Sequence, residues 1–283
     1  SVAGGATYDV GNSDTIDGLS GTGNVTLGAN TLTVGGNNQG ATDFGGVISG
    51  SGGALTKTGS GNQTLSGNNT YTGTTTISQG TLALSGAFTN NIANSATIDV
   101  QSSATLNVTG LNSGTLVLAS GQTLKGTGTV TGATTAGSGS FISPGASPGI
   151  LNTGNIAFNS GSTFTVEVNG STPGTQYDQL NVTGTVSLGN ATLSTSGTIT
   201  STPGQTLVII NNDSNDAVTG TFNGLAEGAT VTINSVNFLI SYVGGTNNND
   251  VVLVQAQTSI AVSGGNLVVT DSNGGTTADT LTI

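Results

Sequence analysis

The sequence of 283 residues contains no cysteine, histidine, methionine, tryptophan or arginine. Each absence excludes something. Without cysteine no disulfide framework holds the fold, so burial and backbone hydrogen bonds must do so. Without histidine, cysteine and arginine, the usual nucleophile–imidazole arrangements are closed off. Lys57 and Lys125 are the only cations against 13 carboxylates, for a formal net charge of −11. Binding nucleic acid needs clustered Lys and Arg on phosphates, and docking on anionic lipid needs the same sign of charge; neither is available. No apolar run approaches the roughly 20 residues of a membrane helix. The longest relevant clusters are Leu207 to Ile210 and Val251 to Val254. The sequence begins at Ser1 with no basic or apolar leader, which is the expectation for a processed product or an excised fragment.

What is present is 48 glycines, abundant Thr, Ser and Asn, and 33% apolar residues gathered in strand-sized clusters between turn residues. An x-Thr-aliphatic beat recurs at Thr97-Ile98, Thr105-Leu106, Thr115-Leu116, Thr123-Leu124 and Thr129-Val130, at steps of eight, ten, eight and six residues. Within each beat the residues alternate. Ile98 and Val100 flank Asp99, Leu106 and Val108 flank Asn107, and Leu116 and Leu118 flank Val117, which places the flanking residues on one face. No segment is long enough to make a sheet alone. Short strands of this kind gain stability by stacking coil on coil around a shared aliphatic axis, with about 16 to 25 residues per coil.

The stretch from Ser49 to Leu84 carries a resemblance as well as a beat. Gly53 to Lys57, Gly59 to Gly61, Thr64-Leu65, Asn69 to Gly73, Thr74-Thr75 and Gly80 to Leu82 follow one another in order. This series closely resembles the passenger-associated repeat of bacterial autotransporters. Ser143 to Val254 is similar to the carboxyl-side segment that often follows such repeats, through Ser143-Pro144-Gly145, Ser147-Pro148-Gly149, Tyr177 to Leu180, Gly220 to Phe222, Gly224 to Gly228, Ile240 to Tyr242 and Asn249 to Leu253. The resemblance implies an all-β, right-handed parallel β-helix, the hand agreeing with the rule for parallel crossovers. It also implies export to the bacterial cell surface or beyond. In that family the carboxyl-side segment continues or caps the β-helix.

The expected organisation is a β-solenoid over 1–140 with the passenger repeat at 46–84, a continuation or cap with longer strands over 141–257, and 258–283 as a tail or the start of a further module pairing with another subunit. The boundary falls where Gly137 to Gly149 interrupts the beat with two of the four prolines. The final residues to Ile283 lack the long series of amphipathic strands of a membrane barrel, so self-translocation is not expected of this sequence.

Candidate chemistry is thin. A glycosidase needs two carboxylates at the right separation, and Glu167, Glu227 and Asp178 are the ones that could be proposed, although each also reads as a strand face or a turn. Calcium is the one cofactor with named residues. Asn211 to Asp216 and Gly244 to Asp250 place oxygen ligands densely, making Asp213, Asp216 and Asp250 the metal candidates. The preferred reading is Asn and Asp in tight turns. Lys57 reads as a solvated turn lysine and Tyr71 as an aromatic covering a turn. The expectation is a non-enzymatic, exported structural rod without catalytic or cofactor residues. It would act as an adhesin passenger meeting surface or matrix components, or as a head-to-tail fibre subunit. The alternative is a carbohydrate-active enzyme or glycan-binding module on the same scaffold.

Overall fold

The Thr-aliphatic alternation becomes strand after strand wound in one sense around a common core. The computed structural model describes residues 1–38 and 40–255, together with the backbone of the strands Thr258–Ser263 and Asn266–Asp271. A nine-stranded, all-parallel sheet runs from Asp14–Ile16 through Thr97–Val100 to Thr192–Ser196. A second sheet of 11 strands starts at Thr42–Phe44 and is parallel through Thr206–Asn212. The third face carries three strands early, including Asn24–Thr26, and four later, from Thr115–Leu118 to Val186–Ser187. Among the described residues there is no α-helix, only a single 3-10 turn at Asn112–Gly114. This is a parallel β-solenoid.

Register makes the core. Ile98 lies beside Thr75 in one neighbouring coil and Leu124 in the other, and Leu106 lies between Leu82 and Val130. Leu82, Leu106, Ile98, Val100, Leu116, Leu118 and Leu124 are all buried, as the alternation requires, while Asp99, Asn107 and Val117 face outward. Coils are compact early and longer late. Ile48 and Asn69 touch across 21 residues, whereas Asn152, Asn181 and Asn211 stand above one another at 29 and 30 residues, joined amide to amide at 3.1 and 3.2 Å. The parallel ladders pass the Gly137 to Gly149 interruption unbroken, since Thr123 pairs with Phe141 and Phe141 with Thr163.

Corners are closed by glycine and by buried amides. A Cβ on Gly46 would stand 1.7 Å from the Gly23 carbonyl oxygen, and one on Gly67 would stand 1.9 Å from that of Gly46, so glycine at this corner lets successive coils touch backbone to backbone. Where the ladder is interrupted, side chains complete it. Gln63 accepts the Leu19 N–H at 2.9 Å and donates to the Leu19 carbonyl at 2.8 Å. Asn91 donates to the Leu65 carbonyl at 2.7 Å.

After Asn212 the 11-stranded sheet turns antiparallel, while the third face adds one more parallel rung where Thr219 pairs with Ser187. Asp250–Gln255 pairs antiparallel with Thr206–Asn212, followed outward by Val236–Gly244 and Thr230–Ile233, also antiparallel. The carboxyl-side half therefore first continues the solenoid and then closes it. Phe158, Phe164, Phe222 and Tyr242 pack together at this end, with Phe164 and Phe222 stacked at 6.1 Å. Tyr242 Oη accepts the Phe222 N–H and donates to the Leu225 carbonyl. Thr258–Ser263 and Asn266–Asp271 form their own antiparallel pair. The rest of the expected tail, 264–265 and 272–283, lies outside the described residues.

Candidate functional site

Two of the sequence-named carboxylates meet where the Ser143 to Gly149 loop crosses the coil above. Thr163–Glu167 puts Phe164 and Val166 into the core and Glu167 outside, as period two demands. Asp178 follows one short loop later and turns back. Its Oδ1 accepts the Gly149 N–H at 2.8 Å and its Oδ2 the Glu167 N–H at 2.9 Å. Glu167 accepts from Ser147 Oγ at 2.6 Å and Asn169 Nδ2 at 2.7 Å. A cavity of about 210 Å³ opens here, lined by Lys125, Ser147, Glu167, Asp178 and Ser196 among others.

The electrostatics separate the two acids. Burial pushes the Asp178 carboxyl up to about 6, with the Glu167 charge adding to it and the two backbone N–H bonds partly offsetting it. Hydrogen bonds from Ser147 and Asn169 hold Glu167 below the usual carboxylate range. Acids driven apart in this way are the pattern of an acid–base pair. Geometry argues otherwise. Asp178 is only 4% exposed and both its oxygens face backbone N–H groups. A general acid must aim an O–H at substrate. What the arrangement does is fasten the loop to the next coil.

Glu227 stands apart from this pair: its Oε2 accepts the Tyr242 N–H at 2.8 Å within the antiparallel cap. Two residues overturn their expected roles. Lys57 is not a solvated turn lysine; it is 2% exposed, and Nζ donates to the carbonyls of Thr58, Gly59 and Gln79 at 2.6, 2.7 and 3.2 Å. Burial lowers its pKa. Tyr71 is not a surface cover but part of the core, its hydroxyl bonded to Thr75 Oγ1 at 2.6 Å and through it to Ser95. The one signal in the sequence was the absence of any nearby acid for Lys57; Tyr71 sits among Asn, Thr and Gly and carried none.

The calcium candidates do not converge as three carboxylates. Asp213 Oδ1 accepts the Gly184 N–H of the preceding coil at 2.9 Å, and Asp250 Oδ1 accepts the Asn212 N–H at 2.9 Å. Among the described residues no group of three or more His, Cys, Asp or Glu side chains could hold a metal ion. The turn itself is tightly cross-linked. Asn249 Nδ2 donates to the carbonyls of Asn212, Asp213 and Ser214, and Asn247 Nδ2 to that of Ser214. Asp213 and Asp250 thus bond the backbone of neighbouring segments and not of their own turns, and Asp216 Oδ2 has no partner.

Fold and side-chain geometry thus define a parallel β-solenoid whose conspicuous polar groups tie coil to coil. Residues 55–84 match the family model described as passenger-associated-transport-repeat. This stretch is similar to the repeats of autotransporter passengers, which points to an exported, passenger-type chain. Comparison with curated proteins found no match. In the structure the matched stretch is one full coil and more, from Ala54–Lys57 through Asn62–Leu65 and Thr75–Ile77 to Gly80–Ser85. It contains Lys57, Gln63, Asn69 and Tyr71, the four large polar residues that this coil buries.

Proposed function

We propose that this chain is a non-enzymatic rod, exported to the bacterial cell surface or the extracellular matrix, where it acts as a spacer or adhesin passenger. The observation that carries the reading is the fate of its reactive groups. Lys57 is spent on backbone carbonyls, and Asp178, Glu167 and Glu227 on neighbouring N–H and hydroxyl groups, so the chemistry goes into stiffness. Large aromatics also argue against a sugar platform. Only Phe88 and Phe141 are exposed among the described residues, one after the strand Gly80–Ser85 and the other on the nine-stranded sheet.

Joining end to end is the narrower form of the same reading. Parallel backbone groups left unpaired at a coil edge are what a second copy would complete. The cap of antiparallel strands occupies the edge after Asn212. The other end presents a cavity of about 590 Å³ lined by Val2, Ala3, Ala6, Tyr8, Ile16 and Leu19. The asymmetry favours the passenger over a filament made by simple stacking.

The test is location and turnover together. An antibody to the solenoid is expected to bind intact producing cells or the medium without permeabilisation, and the purified chain is expected to leave acidic polysaccharides uncleaved. Labelling restricted to permeabilised cells would contradict export, and turnover abolished by Glu167→Gln or Glu227→Gln would replace the rod with an enzyme.

A further inference from the structure

The turn that follows the last parallel strand contains two oxygen atoms with nothing to bind. Asn212 is 5% exposed and its Oδ1 has no hydrogen-bond partner, and the Oδ2 of Asp216 is likewise buried and unpaired. The Asn212 amide cannot relieve this by turning over. Its Nδ2 already donates to the Asp216 carbonyl at 2.7 Å, and a flip would set oxygen against oxygen. An acceptor buried without a partner is costly, and a carboxylate oxygen most of all. Buried unpaired side-chain oxygens elsewhere, at Asn62, Asn91 and Thr134, lie far from one another in the sequence, whereas these two share one five-residue turn and a backbone contact.

Two further carboxylates belong to this part of the fold. Asp250 reaches the same turn through the Asn212 N–H, and Asp213 lies between the two ligands in sequence. No side chain of this protein is free to neutralise them. The chain has no arginine or histidine, Lys57 is held on the carbonyls of residues 58, 59 and 79, and Lys125 lies at the cavity beside Glu167. A positive charge at this turn must come from outside the protein.

We propose that the Asn212 to Asp216 turn, backed by the Asn249-Asp250 end of the facing strand, binds a calcium ion through Asn212 Oδ1 and Asp216 Oδ2, with water completing the shell. Both atoms are hard neutral or anionic oxygens on a turn, which suits the variable six- to eight-fold coordination of calcium better than the strict octahedron of magnesium. One direct carboxylate and one amide place the affinity in the range of extracellular modules, about 10⁻⁴ to 10⁻³ M. The ion would lock the last parallel strand to the cap that closes the solenoid.

Calorimetric titration of calcium chloride into the chelator-stripped full chain tests this, with circular dichroism to verify that each variant keeps its β-fold. One saturable site is expected, at least about tenfold weaker for magnesium, together with a rise in Tm of about 2–5 °C in 10 mM calcium. Asp216→Asn is expected to weaken calcium binding at least tenfold, and Asp99→Asn, on the distant outer face, to leave it unchanged. If Asp216→Asn does not fold, Asp216→Ser takes its place in the comparison. No saturable binding up to 10 mM, equal affinity in the Asp216 variant, or equal loss in Asp99→Asn would overturn the site.

Discussion

Lys57 illustrates how a single residue changes meaning once coils stack. In the sequence it follows a Leu-Thr pair in a polar stretch and reads as a surface lysine. In the fold its ammonium takes the place that a strand or a bound cation would otherwise fill among three carbonyls from two successive coils. Lys57→Met keeps the stem and removes the donors, so about 2–3 kcal/mol of stability is expected to vanish, visible as a lower denaturant midpoint. Lys125→Met, at a half-buried outer position, is expected to change it by under about 0.5 kcal/mol. Equal losses would remove the carbonyl cage from the account.

Asp178 makes a pH prediction of definite sign. Its carboxyl titrates at about 6 in the folded chain, above the ordinary value of 3.8, because burial favours the protonated form. The folded state therefore binds more protons than the unfolded state between about pH 4 and 6. Its contribution to stability is fully present below that window and is lost as pH rises through it. Asp178→Asn abolishes this slope, so the melting temperature of the wild-type chain relative to the variant is expected to fall between pH 4 and 6.5. A difference independent of pH would mean that the carboxyl is not buried as described.

At the scale of the element, period-two alternation was legible because it depends only on which residues face in. Ile98, Val100, Leu106, Val108, Leu116 and Leu118 point inward as the sequence predicts, and each contributes to a column that its neighbours in the next coils extend. Leu106→Ala is expected to cost about 2–5 kcal/mol, and Asn107→Ala, one residue on and facing out, under about 0.5 kcal/mol, both readable by chemical denaturation. Gly46→Ala should be as damaging as a core truncation, since its methyl would overlap the Gly23 carbonyl of the coil below. What alternation cannot convey is which corner meets which. The Gln63 bonds to Leu19 span 44 residues, and the Asp178 clamp on Gly149 spans 29. Such contacts exist only once the coil lengths are fixed, and coil length varies with loops that carry no pattern.

At the scale of the molecule, about 4.8 Å per coil gives the nine-stranded face a length of about 40 Å, stiff because every strand is paired on both sides except at the ends. The longer strands expected after Ser143 appear only from Thr206–Asn212 onward; between Ile150 and Ser196 the strands are as short as those before. The switch from parallel to antiparallel at Asn212 was not readable, because Thr206–Asn212 and Asp250–Gln255 have the same apolar composition whichever way they pair. The aromatic cluster of Phe158, Phe164, Phe222 and Tyr242 marks the closed end, and a capped rod of this kind suits presentation from a surface.

The winding itself is tested most directly by an experimental structure of the purified chain, read at one strand. Thr97–Val100 is predicted to lie between Thr75–Ile77 and Thr123–Gly126, parallel to both, with Ile98 inside and Asp99 outside. Antiparallel pairing of Thr97–Val100 with Gly80–Ser85 or Ala104–Gly110 would mean hairpins in place of coils, and would contradict the account.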